Sequence, residues 1–206
     1  MLRIVHADDA LLVVDKPAGL LAVPGRGADK ADCLWTRLRG HYADALVVHR
    51  LDQATSGLML YARGATAQRA LSRAFAARAV DKRYIAVVAG EVAGDRGEID
   101  LPLAADWPNR PRQQVDPLHG KPALTRWRVL ARGDATTRLE LQPVSGRSHQ
   151  LRVHLHALGH PIVGDALYAP PALAAAAPRL LLHASALALG HPTRGQWLRF
   201  GSAAPF

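Results

Sequence analysis

In the stretch ALVVHRLDQATSGLMLYAR a single carboxylate, Asp52, follows an apolar run and stands two residues after Arg50. An aspartate that ends a strand is often only a turn former, because its side chain can bond the backbone just ahead of it. The basic neighbour adds a chemical option. A carboxylate can act as a covalent nucleophile at a sugar carbon, and a guanidinium close by would keep it charged and aimed. No second carboxylate accompanies Asp52 in this stretch, so the paired acids of ordinary glycoside hydrolysis are missing. The chemistry must spare a general acid.

The other reactive residue types give less. Ten histidines raise the question of a metal, most densely at His149, His154, His156 and His160. On a helix His149 and His156 lie nearly two turns apart on one face while His154 and His156 point apart, so no HExxH-like pair forms. No metal and no cofactor is expected. The sequence contains no GxxxxGK[ST], and the GRG around Arg26 is a poor substitute for a phosphate-cradling loop. HRLD echoes a kinase catalytic loop, but no magnesium-binding motif follows. The lone Cys33 can form no internal disulfide and reads as a buried thiol.

The elements that must position Asp52 follow from patterning. LRIVHADD, ALLVVDKPAG and LLAVPGRG alternate β-type runs with turn signals and predict a small meander. A helix is expected from about Ala31 to His41, then two strands, ALVVHRL and GLMLYAR, joined by the loop DQATS that Asp52 begins. From Ala65 to Ala79 Leu71, Phe75 and the alanines form an apolar helical face, with Arg69 and Arg73 one turn apart on a basic one. KRYIAVVAGEV is a strand, and the proline-rich stretch after it is a loop or hairpin excursion. RWRVLARG and TRLELQPVSG form a hairpin around Gly133 and Asp134. Ser148 is placed to cap a helix ending at Gly159, and RLLLHASALALGHP and QWLRF return to strand. Many strands with few helices predict an α+β protein on a mixed, mostly antiparallel sheet.

Charge points to a polyanion. The 206 residues carry 26 Lys and Arg against 17 Asp and Glu. Residues 107–152 alone hold nine basic side chains against three acidic ones. Arginine predominates, as suits forked recognition of phosphate and stacking on bases. The hydrophobic share of 49% is ordinary, and no run approaches the length of a membrane span. A cytoplasmic protein without membrane contact, and a monomer, are expected. A single domain is the simplest reading of this length.

HRLDQATSGLMLYAR, DKRYIAVVAGEV, GRSHQLRVHLHALGHPIVGDALY and RLLLHA resemble, in order, the motif blocks of the RluA family of pseudouridine synthases. LPLAADWPNRPRQQV and GKPALT resemble the RluA subgroup, which modifies a 23S ribosomal RNA hairpin and a tRNA anticodon stem-loop. The resemblance implies the pseudouridine synthase fold, a central mixed sheet flanked by helices and loops with an active-site cleft across it. Because the meander starts within the first few residues, no S4 RNA-binding domain is expected ahead of it.

By motif position, the resemblance makes Asp52 the catalytic aspartate, acting either by attack at C1′ of the ribose or by removal of a 2′ proton. Arg152 resembles the family arginine that pairs with it, and Tyr84 the tyrosine that stacks on the flipped uracil and helps remove the C5 proton. Extruding a uridine from a stem-loop costs a few kcal/mol, and Arg50 is the candidate to take the place of the departed base. Arg110, Arg112 and Lys121 are expected to grip the RNA backbone from the excursion. Arg69 and Arg73 would extend that surface, and His49 and Arg147 complete the RNA-binding set. Two other readings are a noncatalytic RNA-binding module and a metal-dependent hydrolase; the intact Asp52, Tyr84 and Arg152 set argues against the first.

Overall fold

The computed structural model describes residues 2–25, 27 and 30–206. The chain divides into two compact units, one built from the residues up to Lys82 with His183–Pro205, the other from Arg83–Leu182 with Phe206. In the first unit β1 (Arg3–Ala7), β2 (Leu11–Lys16) and β4 (Ser56–Arg63) are antiparallel neighbours, and β3 (Ala45–Val47) also lies antiparallel on β4. β11 (Leu182–Gly190) meets β4 in parallel, with His183 opposite Ser56 and Ala184 opposite Gly57, and β12 (Trp197–Gly201) is antiparallel to β11. In the second unit β5 (Asp81–Ala89, from Arg83 on), β10 (Thr136–Pro143), β9 (Leu124–Arg132) and β6 (Arg96–Asp100) pair antiparallel in that order, and β7 (Leu103–Ala105) with β8 (Gln113–Val115) form a separate hairpin. The α+β class with a mixed, mostly antiparallel sheet is therefore correct.

Burial explains the strand patterns. β4 reads as a continuous apolar run because every residue from Ser56 to Ala62 is buried, as expected of a strand covered on both faces. β10 alternates instead: Thr137, Leu139 and Leu141 face inward while Arg138, Glu140 and Gln142 face out. The helix α2 (Gly64–Ala76) buries Ala67 and Leu71 against Leu58, Leu60, Leu187 and Leu189, and leaves Arg69 and Arg73 exposed as its spacing predicts. The helix α1 (Leu34–Arg39) begins at the buried Cys33, whose Sγ accepts from the Thr36 amide while the Thr36 hydroxyl accepts from the Cys33 amide.

Three local expectations fail. LLAVPGRG forms no strand in its described residues; the carbonyls of Leu21 and Ala22 instead accept from the amides of Leu34 and Trp35 at the start of α1, groups a helix cannot satisfy internally. Arg26 of that segment lies outside the described residues. ALVVHRL is strand only over β3. Ser148 is not the helix cap: α3 (Gln150–Ala157) starts from His149 at φ 52° with no side-chain cap, and the Gln150 amide holds the entry by accepting from Arg147 N and the Ser145 hydroxyl and donating to Leu124 O and Thr125 Oγ1. Further along the chain Pro171–Ala175 form the short helix α4.

Gly57 is the tightest backbone approach beside the Asp52 loop. It has φ 109°, and a Cβ there would lie 2.3 Å from Ala184 O and 2.5 Å from Ala184 N. Gly57→Ala thus combines left-handed strain with overlap on the β4–β11 register, and a loss of at least ~2 kcal/mol is expected. Chemical denaturation checks this; an unchanged midpoint would show that the two strands can part at no cost.

Candidate active site

Asp52 is half-buried and opens the turn before β4, with the Thr55 amide donating to its carbonyl at 3.1 Å. The turn is tied to the segment after β2. Lys16, fully buried, donates from Nζ to the carbonyls of Pro17, Leu20 and Gln53 at 2.7–3.0 Å. Gly19 and Gln53 add two bonds of their own, Gly19 N to Gln53 O and Gln53 Nε2 to Gly19 O. Three carbonyl dipoles around one ammonium give the loop a rigid floor, since an unsatisfied ammonium there would be prohibitive. Arg50, two residues earlier, is exposed.

Behind the loop runs a buried polar chain. Ser56 Oγ meets His183 Nδ1 at 2.8 Å, His183 Nε2 meets Ser202 Oγ at 3.1 Å, and Ser202 Oγ donates to Asp15 Oδ2 at 2.6 Å. Asp15 also pairs with Arg3. Ser202 has one hydroxyl proton and gives it to Asp15, so toward His183 it is the acceptor of the Nε2–H. The chain ties β4, β11 and the segment after β12 together immediately past the Asp52 turn.

His49 has a framework task. Its Nε2 accepts the Leu60 amide of β4 at 2.9 Å, replacing a strand carbonyl where β3 has ended, and its ring stacks on Phe75 at 4.7 Å. Burial pushes the imidazole pKa down to about 3, with the Lys82 ammonium adding to the effect. The folded protein therefore refuses a proton that the unfolded chain accepts near pH 6.5, so the contribution is full above pH 6.5 and is lost as pH falls from there toward 3, at up to ~1.4 kcal/mol per unit. Between pH 7 and 5 the wild type should lose about 2 kcal/mol more stability than His49→Gln, which accepts the same amide and does not titrate. Thermal melts at the two pH values decide it, and equal losses would contradict the assignment.

In the second unit Arg152 and Asp165 form a buried forked pair, with Nε to Oδ2 at 2.8 Å and a terminal nitrogen to Oδ1 at 2.6 Å, the side chains 5% and 1% exposed. Asp165 Oδ1 also accepts the amides of Leu167 and Tyr168. The Tyr168 ring receives both the Arg152 and the Arg112 guanidinium, at 5.0 and 5.3 Å, and its hydroxyl accepts the Gln113 amide and bonds His149 Nδ1 at 2.7 Å. Tyr84 is half-buried on β5 opposite Leu141. Arg110, Lys121 and Arg147 are exposed; Arg110 stacks on Trp107 at 4.7 Å and Arg147 donates to Pro122 O. Arg112 is half-buried under Tyr168.

Asp165, Tyr168, Lys16 and the His183 chain were not singled out from sequence. Their residues did sit in recognisable places, Asp165 and Tyr168 in GDALY, His183 in RLLLHA, and Lys16 in what reads as turn punctuation. The histidines weighed as metal ligands are engaged otherwise: His154 with Thr125 Oγ1 and Leu101 O, His160 with Ala89 O, and His149 with Tyr168. Among the described residues Asp8, Asp9 and His191 come within metal-ligating range of one another. There, Asp8 Oδ2 accepts from both His6 and His191, and Asp9 pairs with Arg194. Burial opposes the Asp8 charge, but the bonds from His6, Ala10, Leu11 and His191 outweigh it and hold the carboxyl well below its usual range. That cluster is a hydrogen-bonded clamp.

A model of the RNA pseudouridylate synthase family matches residues 10–157, which include the Asp52 loop, Tyr84 and Arg152. The chain belongs to the RNA pseudouridylate synthase family. It is 50% identical to the dual-specificity RNA pseudouridine synthase RluA of Pasteurella multocida, over 100% of this chain and 94% of that protein. It is 49% identical to the protein of the same name from Escherichia coli, with the same coverage of both. Among solved structures, human RNA Pseudouridylate Synthase Domain Containing 1 superposes with a TM-score of 0.84 at 31% identity, over 100% of this chain and 84% of that one. No helix among the described residues is long and apolar enough to cross a membrane.

Proposed function

We propose that the protein is an RNA pseudouridine synthase that isomerises uridines in stem-loops of 23S ribosomal RNA and tRNA. The observation that carries this reading is identity of about half, over essentially the whole of both chains, with proteins named dual-specificity RNA pseudouridine synthases. The family blocks fall on residues whose chemistry suits the reaction.

Asp52 acts on the ribose, at C1′ directly or through the 2′ proton, and the bond between C1′ and N1 breaks. The released uracil turns and rejoins C1′ through C5. The C5 proton leaves and N1 gains one, so no water, metal or redox partner is consumed. Tyr84 stacks on the turned base and assists removal of the C5 proton. By motif position Arg152 takes the part of the family arginine that serves the catalytic aspartate, and Asp165 holds it in place; a guanidinium offers five N–H donors, of which Asp165 takes two. Arg50, exposed beside the catalytic loop, fills the gap left by the extruded uridine. Arg69, Arg73, Arg110, Arg112, Lys121 and Arg147 bear on the phosphate backbone, where contacts set affinity and salt dependence more than sequence choice. His49 supports the strand from which Arg50 and Asp52 emerge. The protein works in the cytoplasm as a monomer.

Mapping pseudouridines in ribosomal RNA and tRNA from a strain lacking the gene tests the substrate assignment. Loss of one pseudouridine in a 23S rRNA hairpin and one in a tRNA anticodon arm, both restored by the gene, is expected. An unchanged map would overturn it.

A further inference from the structure

Trp107 is the most exposed large hydrophobic aromatic among the described residues, at 66%. The fold does not leave it there by slackness. Asp106 and Asn109 open two successive turns: Asn109 N donates to Asp106 O at 3.1 Å and Arg112 N to Asn109 O at 3.0 Å, and Asp106 N donates to Arg112 O at 3.0 Å. The Asp106 carboxylate also accepts twice from Asn109 Nδ2. Trp107 and Arg110 are therefore the second residues of consecutive turns, and the Arg110 guanidinium lies 4.7 Å from the indole centroid. The other tryptophans are used differently. Trp35 donates from Nε1 to Ala45 O, Trp127 lies against Gly97, and Trp197 stands in β12 paired with Gly190.

An indole fixed on a closed loop with a cation stacked on it presents a flat π surface and a positive charge side by side. Unstacked nucleobases seek the first and their phosphates the second. Because the hydrogen-bonded turns already hold the backbone that carries the indole, less further ordering is needed on binding. We propose that Trp107, backed by Arg110, is a stacking platform for an unpaired base of the substrate RNA. This rests on the reading of the protein as an RNA-modifying enzyme, and it adds a contact that no charge count reveals.

The test compares the full-length protein with Trp107→Ala and Trp107→Phe, measuring binding to a tRNA anticodon-type stem-loop and to a blunt duplex of the same stem. The alanine variant should weaken stem-loop binding by about 10- to 100-fold, the range of one lost base–aromatic stack. Phenylalanine should stay within a few fold of wild type, and duplex binding should hold for both, with unchanged thermal midpoints. Wild-type affinity of the alanine variant for the stem-loop overturns the proposal. So does an equal loss on both RNAs, which would mean that Trp107 only shapes the loop. Absence of pseudouridine formation by the wild type would count against the enzyme assignment and leave the stacking comparison intact.

Discussion

Asp52→Asn should abolish pseudouridine formation, by at least about three orders of magnitude, while leaving the protein folded and able to bind stem-loop RNA. The large effect follows from the role. An amide can neither attack C1′ nor accept a 2′ proton, and removing the group that makes or breaks covalent bonds typically costs most of the rate enhancement. The small structural effect follows from geometry. The turn bond at Asp52 is made by its backbone carbonyl, and the loop is held by Lys16, Gly19 and Gln53. Single-turnover assays with saturating RNA, alongside thermal melts and filter binding, separate the two. Residual turnover above about a hundredth of wild type would remove Asp52 from the chemistry.

Asp165→Asn is expected to have the largest effect on the scaffold. The variant retains shape but leaves the Arg152 guanidinium, 5% exposed, beside a neutral amide that also cannot accept as many bonds. Removing one charge of a buried pair costs roughly 3–5 kcal/mol, which in a chain of this size lowers the thermal midpoint by about 10 °C. Activity should fall with it even at temperatures where the variant is folded, because Arg152 loses the partner that fixes its direction. Arg152→Lys should not rescue: an ammonium cannot reproduce the fork over the two carboxylate oxygens or the stack on Tyr168. A midpoint within two degrees of wild type for Asp165→Asn would show that the pair contributes little.

Much of this architecture was legible in the chain because its strands and helices carry the period that burial imposes. The alternation of TRLELQP and the apolar run of GLMLYA map directly onto β10 and β4. What was not legible depended on partners distant in sequence. The segment LLAVP has strand-like composition, yet its carbonyls are claimed by the start of α1. Ser148 looks like a cap, but the Gln150 side chain does the work from one position inside the helix. His49 stands in the sequence as one of the expected RNA-binding residues beside Arg50, and its bond to the Leu60 amide eleven residues later is not visible there. The arginine surplus announced a polyanion without ranking its members, and Arg112 spends its charge on Tyr168 where Arg110 spends it on Trp107. Asp52 itself was legible as a candidate. Lys16, which secures its loop, was not, because three carbonyl bonds leave no trace in sequence.

The central claim is that the chain isomerises uridine through Asp52 without a cofactor. The most direct measurement incubates the purified protein in EDTA with a stem-loop RNA tritiated at C5 of uridine, and follows tritium release and free uracil. Tritium release matched by pseudouridine, intact RNA, no free uracil, and no release by Asp52→Asn are expected. Absence of release by the wild type, or release that requires added metal, would contradict it.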